Sequence, residues 1–228
     1  MEAVFLILVV STALAGGFAM FQLAKINGNT EEMATNLLPS VSLVGELQIH
    51  FNTIRRAEMQ HVIAVLGEEK SPEEDRINAA KAKIVQVEQQ YQSMVTGAQE
   101  ATMWEEYKKS LLRYYEAQKK LLELSNVGPA EAIASAAYMN GESQAALRAL
   151  FKTLDALIAF NKAGADAAYD SARATYSVAR GGLLMVVLIA VALAAGLGIW
   201  ITRLIMRPLG FAVRAAQGFA QGDLTVSL

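Results

Sequence analysis

The sequence predicts an all-α protein: an up-down four-helix bundle flanked by two transmembrane helices, with a further short helix after the second. Two long stretches without charge near the ends supply the membrane helices. Apolar residues recurring at alternating steps of three and four supply the bundle between them. No segment alternates apolar and polar residues as a half-buried strand would. Hydrophobic residues make up 54% of the chain and charged residues 18%, apolar for a soluble domain, with the surplus near both ends.

The first span is "AVFLILVVSTALAGGFAMFQLA", residues 3 to 24, about 33 Å long as a helix and enough for a bilayer core. A cleaved signal peptide is the competing reading, because Ala13-Leu14-Ala15 resembles a cleavage site. Against it, no basic residue precedes the apolar run, and the run continues past that site. The second span is "GGLLMVVLIAVALAAGLGIWIT", residues 181 to 202, followed closely by Arg203, Arg207 and Arg214. Arginines on that side favour a cytoplasmic C-terminus. Residues 25 to 180 are then expected outside the cytoplasm and both termini inside.

Within that middle, Pro39 interrupts the start of a helix whose apolar row is Val44, Leu47, Phe51, Ile54, Val62 and Val65, ending at Gly67. The next helix is expected to begin at Ser71, with Pro72 in its first turn and Glu74 completing a capping box. Its row is Ile77, Ala80, Ile84, Val87, Tyr91 and Met94. The pattern breaks around Gly97, and Thr102 with Glu105 offers a second box before Trp104, Tyr107, Leu111, Tyr114, Gln118 and Leu121. Gly128, Pro129 and Gly141 predict a turn, a short helix and a second break. Leu147, Leu150, Leu154, Leu157 and Asn161 line the last helix, which runs alanine-rich toward the second span with Gly164 as the place where it would bend.

Function classes narrow by exclusion. A net charge of -2 gives no sign of a nucleic-acid partner. Absence of cysteine removes disulfides, thiolate catalysis and cysteine metal sites. No Gly-rich phosphate loop or other catalytic motif is present, so neither enzymatic activity nor a cofactor is expected. His50 and His61 lie about 16 Å apart along one helix, too far to share a metal ion, and read as partly exposed helix histidines.

Two spans, an external bundle and the tail together resemble the four-helix-bundle class of bacterial methyl-accepting chemotaxis receptors. The matching stretches are "NTEEMATNLLPSV" at 29 to 41, "RRAEMQHVIA" at 55 to 64 and "GADAAYDSARATY" at 164 to 176. Arg207-Pro208-Leu209, Ala215, Ala216, Phe219, Ala220 and Gly222-Asp223-Leu224 are similar to the first helix of a HAMP domain. The resemblance implies a transmembrane helix (1–24), a periplasmic ligand-binding bundle (25–180), a second transmembrane helix (181–202) and a partial HAMP domain (203–228). It further implies a bacterial inner-membrane homodimer whose second HAMP helix, methylation helices and kinase-control helices lie beyond this chain. The sensor region of a histidine kinase, and a structural bundle without a ligand, stay open as alternatives.

Candidate ligand contacts come from height along the bundle. Arg55 falls beside the apolar stripe and Arg56 points away from it, with Asn52 one turn earlier. At a similar height the third helix presents Arg113, Tyr114 and Gln118, and the fourth presents Thr153. Polar groups on core rows need partners, and a small anionic ligand, an organic acid, is expected to supply them. In the related aspartate and serine receptors the ligand lies between two subunits, held by arginines of the first bundle helix. With Arg55 set on the central one, His50 and Met59 stand at the flanking positions, a departure that leaves a pocket inside one bundle open.

Overall fold

The computed structural model describes residues 2–64, 67–127, 132–206, 208–210 and 213. Among these, only Ala64, Val95, Thr96 and Val127 lie outside a helix. In chain order the long elements are α1 (Glu2–Glu32), α2 (Leu38–Ile63), α3 (Gly67–Met94), α4 (Gly97–Asn126), the short α5 (Ala132–Tyr138) and α6 (Gln144–Ile201). Wider π-helical turns cover Met33–Leu37, Met139–Ser143 and Thr202–Met206. The chain divides into two compact units, Asn27–Ala172 and Met1–Ile26 with Arg173–Leu228.

The unit Asn27–Ala172 is the bundle. Its core is Val44, Leu47, Phe51 and Ile54 of α2, Ile77, Ala80, Ile84, Val87 and Tyr91 of α3, Trp104, Tyr107, Leu111 and Tyr114 of α4, and Leu147, Leu150, Leu154 and Leu157 of α6. Alternating steps of three and four keep each row on one seam of its helix. Cross-bundle bonds fix the antiparallel order. At one end Asn36 reaches Thr96, and Asn161 reaches Tyr91 and Glu100; at the other His61 meets Ser125 and Arg55 meets Ser143.

Several expected helix boundaries shift. Pro39 stops nothing: it falls in the first turn of α2, directly after the π turn Met33–Leu37. The wider turn accommodates a residue that lacks an N–H and crowds the carbonyl four residues back. Helix α2 ends at Ile63 with extended Ala64 as its cap, and Gly67 opens α3, so Ser71 and Pro72 lie inside that helix. Lys70 explains the extra turn, because its ammonium donates to the Ser125 carbonyl of α4 and anchors the stretch before Pro72. The box at Thr102 and Glu105 is not used. Instead α4 starts at Gly97, whose φ of 76° suits glycine, and the Glu100 carboxylate accepts the Thr96 N–H at 2.8 Å. Thr102 lies within the helix and donates to the Ala98 carbonyl at 2.9 Å. The break expected at Gly141 is a π turn rather than a stop, and Gly128 and Pro129 lie outside the described residues.

Gly164 serves close packing. A Cβ there would lie 3.1 Å from a methyl of Leu37, within the same unit.

In the other unit, two helices carry apolar stretches long enough to cross a membrane, one near the N-terminus and one toward the end of α6, and neither stretch is buried. Leu14, Phe21, Leu188 and Val191 are all exposed, as side chains meeting lipid would be. Gly182 lets Phe18 approach, since a Cβ there would lie 3.2 Å from its ring. Of the expected HAMP-like motif only Pro208 and Leu209 are among the described residues.

Candidate functional site

Toward the end of the bundle where α2 meets α5 and α6, the core turns polar. Arg55 is 9% exposed and Glu58 fully buried, one helical turn apart on α2. Arg55 Nη1 donates to Glu58 Oε2 at 3.1 Å and to Ser143 Oγ at 3.0 Å. Its Nη2 donates to the Met139 carbonyl at 2.7 Å and to Gln144 Oε1 at 2.8 Å. Three of the four acceptors belong to the π turn and the residue after it, where the widened helix places a carbonyl and a hydroxyl side by side. Glu58 Oε1 in turn accepts the Tyr114 hydroxyl at 2.8 Å and Gln118 Nε2 at 2.7 Å.

Arg55, Tyr114 and Gln118 therefore meet, and the carboxylate they share is Glu58's own. Sequence reasoning missed Glu58, although it stands seven positions after Phe51 on the core row of α2. Burial pushes the Tyr114 phenol well above its ordinary pKa, with the Glu58 charge next in effect. Lys81 borders the cluster, its Nζ 4.7 Å from the centre of the Tyr115 ring. Burial lowers the Lys81 pKa and the Glu58 charge opposes that shift.

The remaining candidates fall elsewhere. Asn52, Arg56 and Arg113 are exposed, and half-buried Thr153 donates its hydroxyl to the Leu150 carbonyl at 2.7 Å. Arg56 bends toward Thr53, whose Oγ1 accepts from Nη2 at 3.3 Å. Both residues line an open groove of about 480 Å³ between α2 and α3, together with Ala57, Gln60, Glu73 and Arg76.

His61 corrects the expectation of an exposed histidine: it is fully buried. Its Nδ1 lies 3.0 Å from Ser125 Oγ and its Nε2 3.1 Å from Glu74 Oε1. The reason is again register, since His61 stands seven positions after Ile54. Glu74, expected to cap α3, pairs with it across the bundle. That hydrogen bond is the main reason the Glu74 carboxyl sits below its ordinary pKa, against the opposing effect of desolvation. His50 is half-buried, with Nε2 3.6 Å from Glu46.

A family described as a four helix bundle sensory module for signal transduction matches residues 1–176. The chain belongs to this family. A Bacillus subtilis (strain 168) protein described as a sensory transducer, YvaQ, is 21% identical over 224 residues, which cover 97% of this chain. The chain spans 39% of that relative's length. As a member of the family it is a signal-transduction sensory module, and its two membrane-length helices are consistent with a membrane-bound one.

Proposed function

We propose that this sensory module is the input region of a transmembrane chemoreceptor, binding a small anionic metabolite outside the cytoplasm and passing the signal inward to a HAMP domain. The observation that carries the reading is placement along the chain. The bundle is entered through α1 and left through α6, and each of these helices carries a membrane-length apolar stretch. Arg203, Arg207 and Arg214 follow the second stretch and favour a cytoplasmic C-terminus. A ligand that shifts the bundle part of α6 relative to α2 would move the helix that leads into the membrane. The module acts as a receptor rather than an enzyme, and coupling to a kinase belongs to an output domain outside this chain.

Reporter fusions test the topology. A fusion after residue 125 is expected to report from the periplasm and one at the C-terminus from the cytoplasm. A cytoplasmic signal at residue 125 would overturn the reading.

Homodimerisation is part of the proposal. Helix α2 presents a second row on its outer face, with Leu38, Ile49, Met59 and Ile63 all exposed. Its steps suit a seam with the same helix of another copy. Replacing Ile49 and Ile63 by aspartate is expected to weaken self-association at least about tenfold, since burying either charge is unfavourable. Analytical ultracentrifugation of the detergent-solubilised chain reads the change, and association equal to the parent's would move the dimer contact off α2.

A further inference from the structure

The groove between α2 and α3 contains a polar atom that the fold leaves unsatisfied. Glu73 lines it and is 9% exposed. Its Oε1 accepts from Arg76 Nη1 at 2.7 Å. Its Oε2 is buried and has no hydrogen-bond partner among the described residues. A buried carboxylate oxygen without a donor is unfavourable, and native proteins rarely keep one without cause. Arg76 could have taken both oxygens with its planar fork, yet it holds one, and its side chain stays 64% exposed.

Two arginines share the groove with this carboxylate. Arg56 and Arg76 line the same groove from opposite helices, and each has five N–H donors. Arg56 is turned to the groove side by its bond to Thr53. Ala57, 3% exposed, forms an apolar part of the lining, and Gln60 adds an adaptable amide. The volume of about 480 Å³ suits a small molecule. Arg55 is not available for this role, because its guanidinium is enclosed by four protein acceptors.

We propose that this groove is the ligand site of the sensory module, and that it takes a small carboxylate carrying its own hydrogen-bond donor, a hydroxyl or an ammonium group. The carboxylate lies against Arg56 and Arg76, and the donor meets Glu73 Oε2. Charge supports the pairing. Arg56, Arg76 and Glu73 sum to one positive charge, which a hydroxy acid neutralises, while an amino acid would instead place its ammonium on Glu73. A plain carboxylate balances the same charge but leaves Oε2 unsatisfied, so it binds more weakly. The inference rests on the sensory reading above and names the site and ligand class for it. Because Arg56 belongs to the outer face of α2, occupancy of the groove acts directly beside the proposed dimer seam.

Matched acids test it by calorimetry on the detergent-solubilised full chain. One set is propionate, lactate and alanine; the other is butyrate, 3-hydroxybutyrate and 3-aminobutyrate. In at least one set a donor-bearing member is expected to bind about tenfold tighter than the plain acid, the value of one good hydrogen bond. Comparing its hydroxy and amino members shows which donor Glu73 accepts. Glu73→Gln should abolish that preference, Arg76→Ala should weaken every binder, and Arg148→Ala, exposed on α6, should change nothing. Far-UV circular dichroism confirms that each variant is folded. Equal binding within both sets, binding indifferent to Glu73→Gln and Arg76→Ala, or no binding by any of the six overturns the groove assignment. Those outcomes leave the sensory reading standing, whereas failure of the topology fusions removes that reading without reference to the groove.

Discussion

Replacing Glu58 by alanine is expected to destabilise the bundle by about 3 to 5 kcal/mol, the usual consequence of stranding one partner of a buried ion pair. The carboxylate accepts from Arg55, Tyr114 and Gln118 at once, so its loss strands a nearly buried guanidinium, a phenol and an amide together. Ser143, Gln144 and the Met139 carbonyl still receive Arg55, which keeps the effect from being larger. Glu58→Gln retains an oxygen for Tyr114 and Gln118 and should cost less. Removing both charges in Arg55→Met/Glu58→Leu is expected to be milder than the sum of the single changes by at least about 1 kcal/mol, because contacting residues are coupled. Urea unfolding of the detergent-solubilised chain, followed by circular dichroism, measures these three variants and the single changes Arg55→Met and Glu58→Leu. A loss below about 1 kcal/mol for Glu58→Ala would show that the pair behaves like an exposed one.

The role of Glu58 also marks where sequence reasoning stopped. Apolar periodicity located the bundle, and the core rows of α3, α4 and α6 are buried where the pattern indicated, except Met94, which is half-buried. The same periodicity continues through Glu58 and His61, each seven residues beyond a core residue, but their side chains argue for solvent when taken one at a time. Both are buried because partners meet them: Tyr114, Gln118 and Arg55 for one, Ser125 and Glu74 for the other. Those partners stand as many as 64 positions away, and helical periodicity carries no information about which heights of two helices coincide.

The π turn at Met139–Ser143 was illegible for a related reason. Gly141 signalled an irregularity, yet a wider turn that continues the helix and a stop have the same local signature, and the choice rests on the Arg55 guanidinium bonded to Met139 and Ser143. Helix starts were misplaced through competition among caps. Thr102 with Glu105 has the spacing of a box, but Glu100 lies nearer the positive-φ turn at Gly97 and there satisfies both the Thr96 N–H and the buried side chains of Tyr91 and Asn161. As for the candidate contacts, height along the bundle correctly drew Arg55, Tyr114 and Gln118 together. It could not reveal that a protein carboxylate already stands among them, nor that Arg56 faces a different groove.

At the opposite end of the core, Trp104→Ala is expected to cost about 3 to 5 kcal/mol, the range for removing a large buried aromatic side chain. Trp104 is 2% exposed and lies between two tyrosines, with its ring centre 4.6 Å from that of Tyr91 and 4.6 Å from that of Tyr107. Its indole N–H donates to Gln92 across the α3–α4 contact. Losing the ring leaves a cavity flanked by Tyr91 and Tyr107, whose hydroxyls are held by Glu100 and Glu88, so neither tyrosine can move into the space without giving up a hydrogen bond. Trp104→Phe keeps an aromatic filler and loses only a bond to exposed Gln92, so about 1 to 2 kcal/mol is expected for it. Water entering beside Glu88 in the alanine variant should also lower that carboxyl's pKa toward its ordinary value, because burial is what raises it now. Urea unfolding read by far-UV circular dichroism gives the two stabilities, and carboxyl NMR of the folded variant gives the Glu88 titration. An alanine variant no less stable than the phenylalanine one would mean that the two tyrosines close the gap.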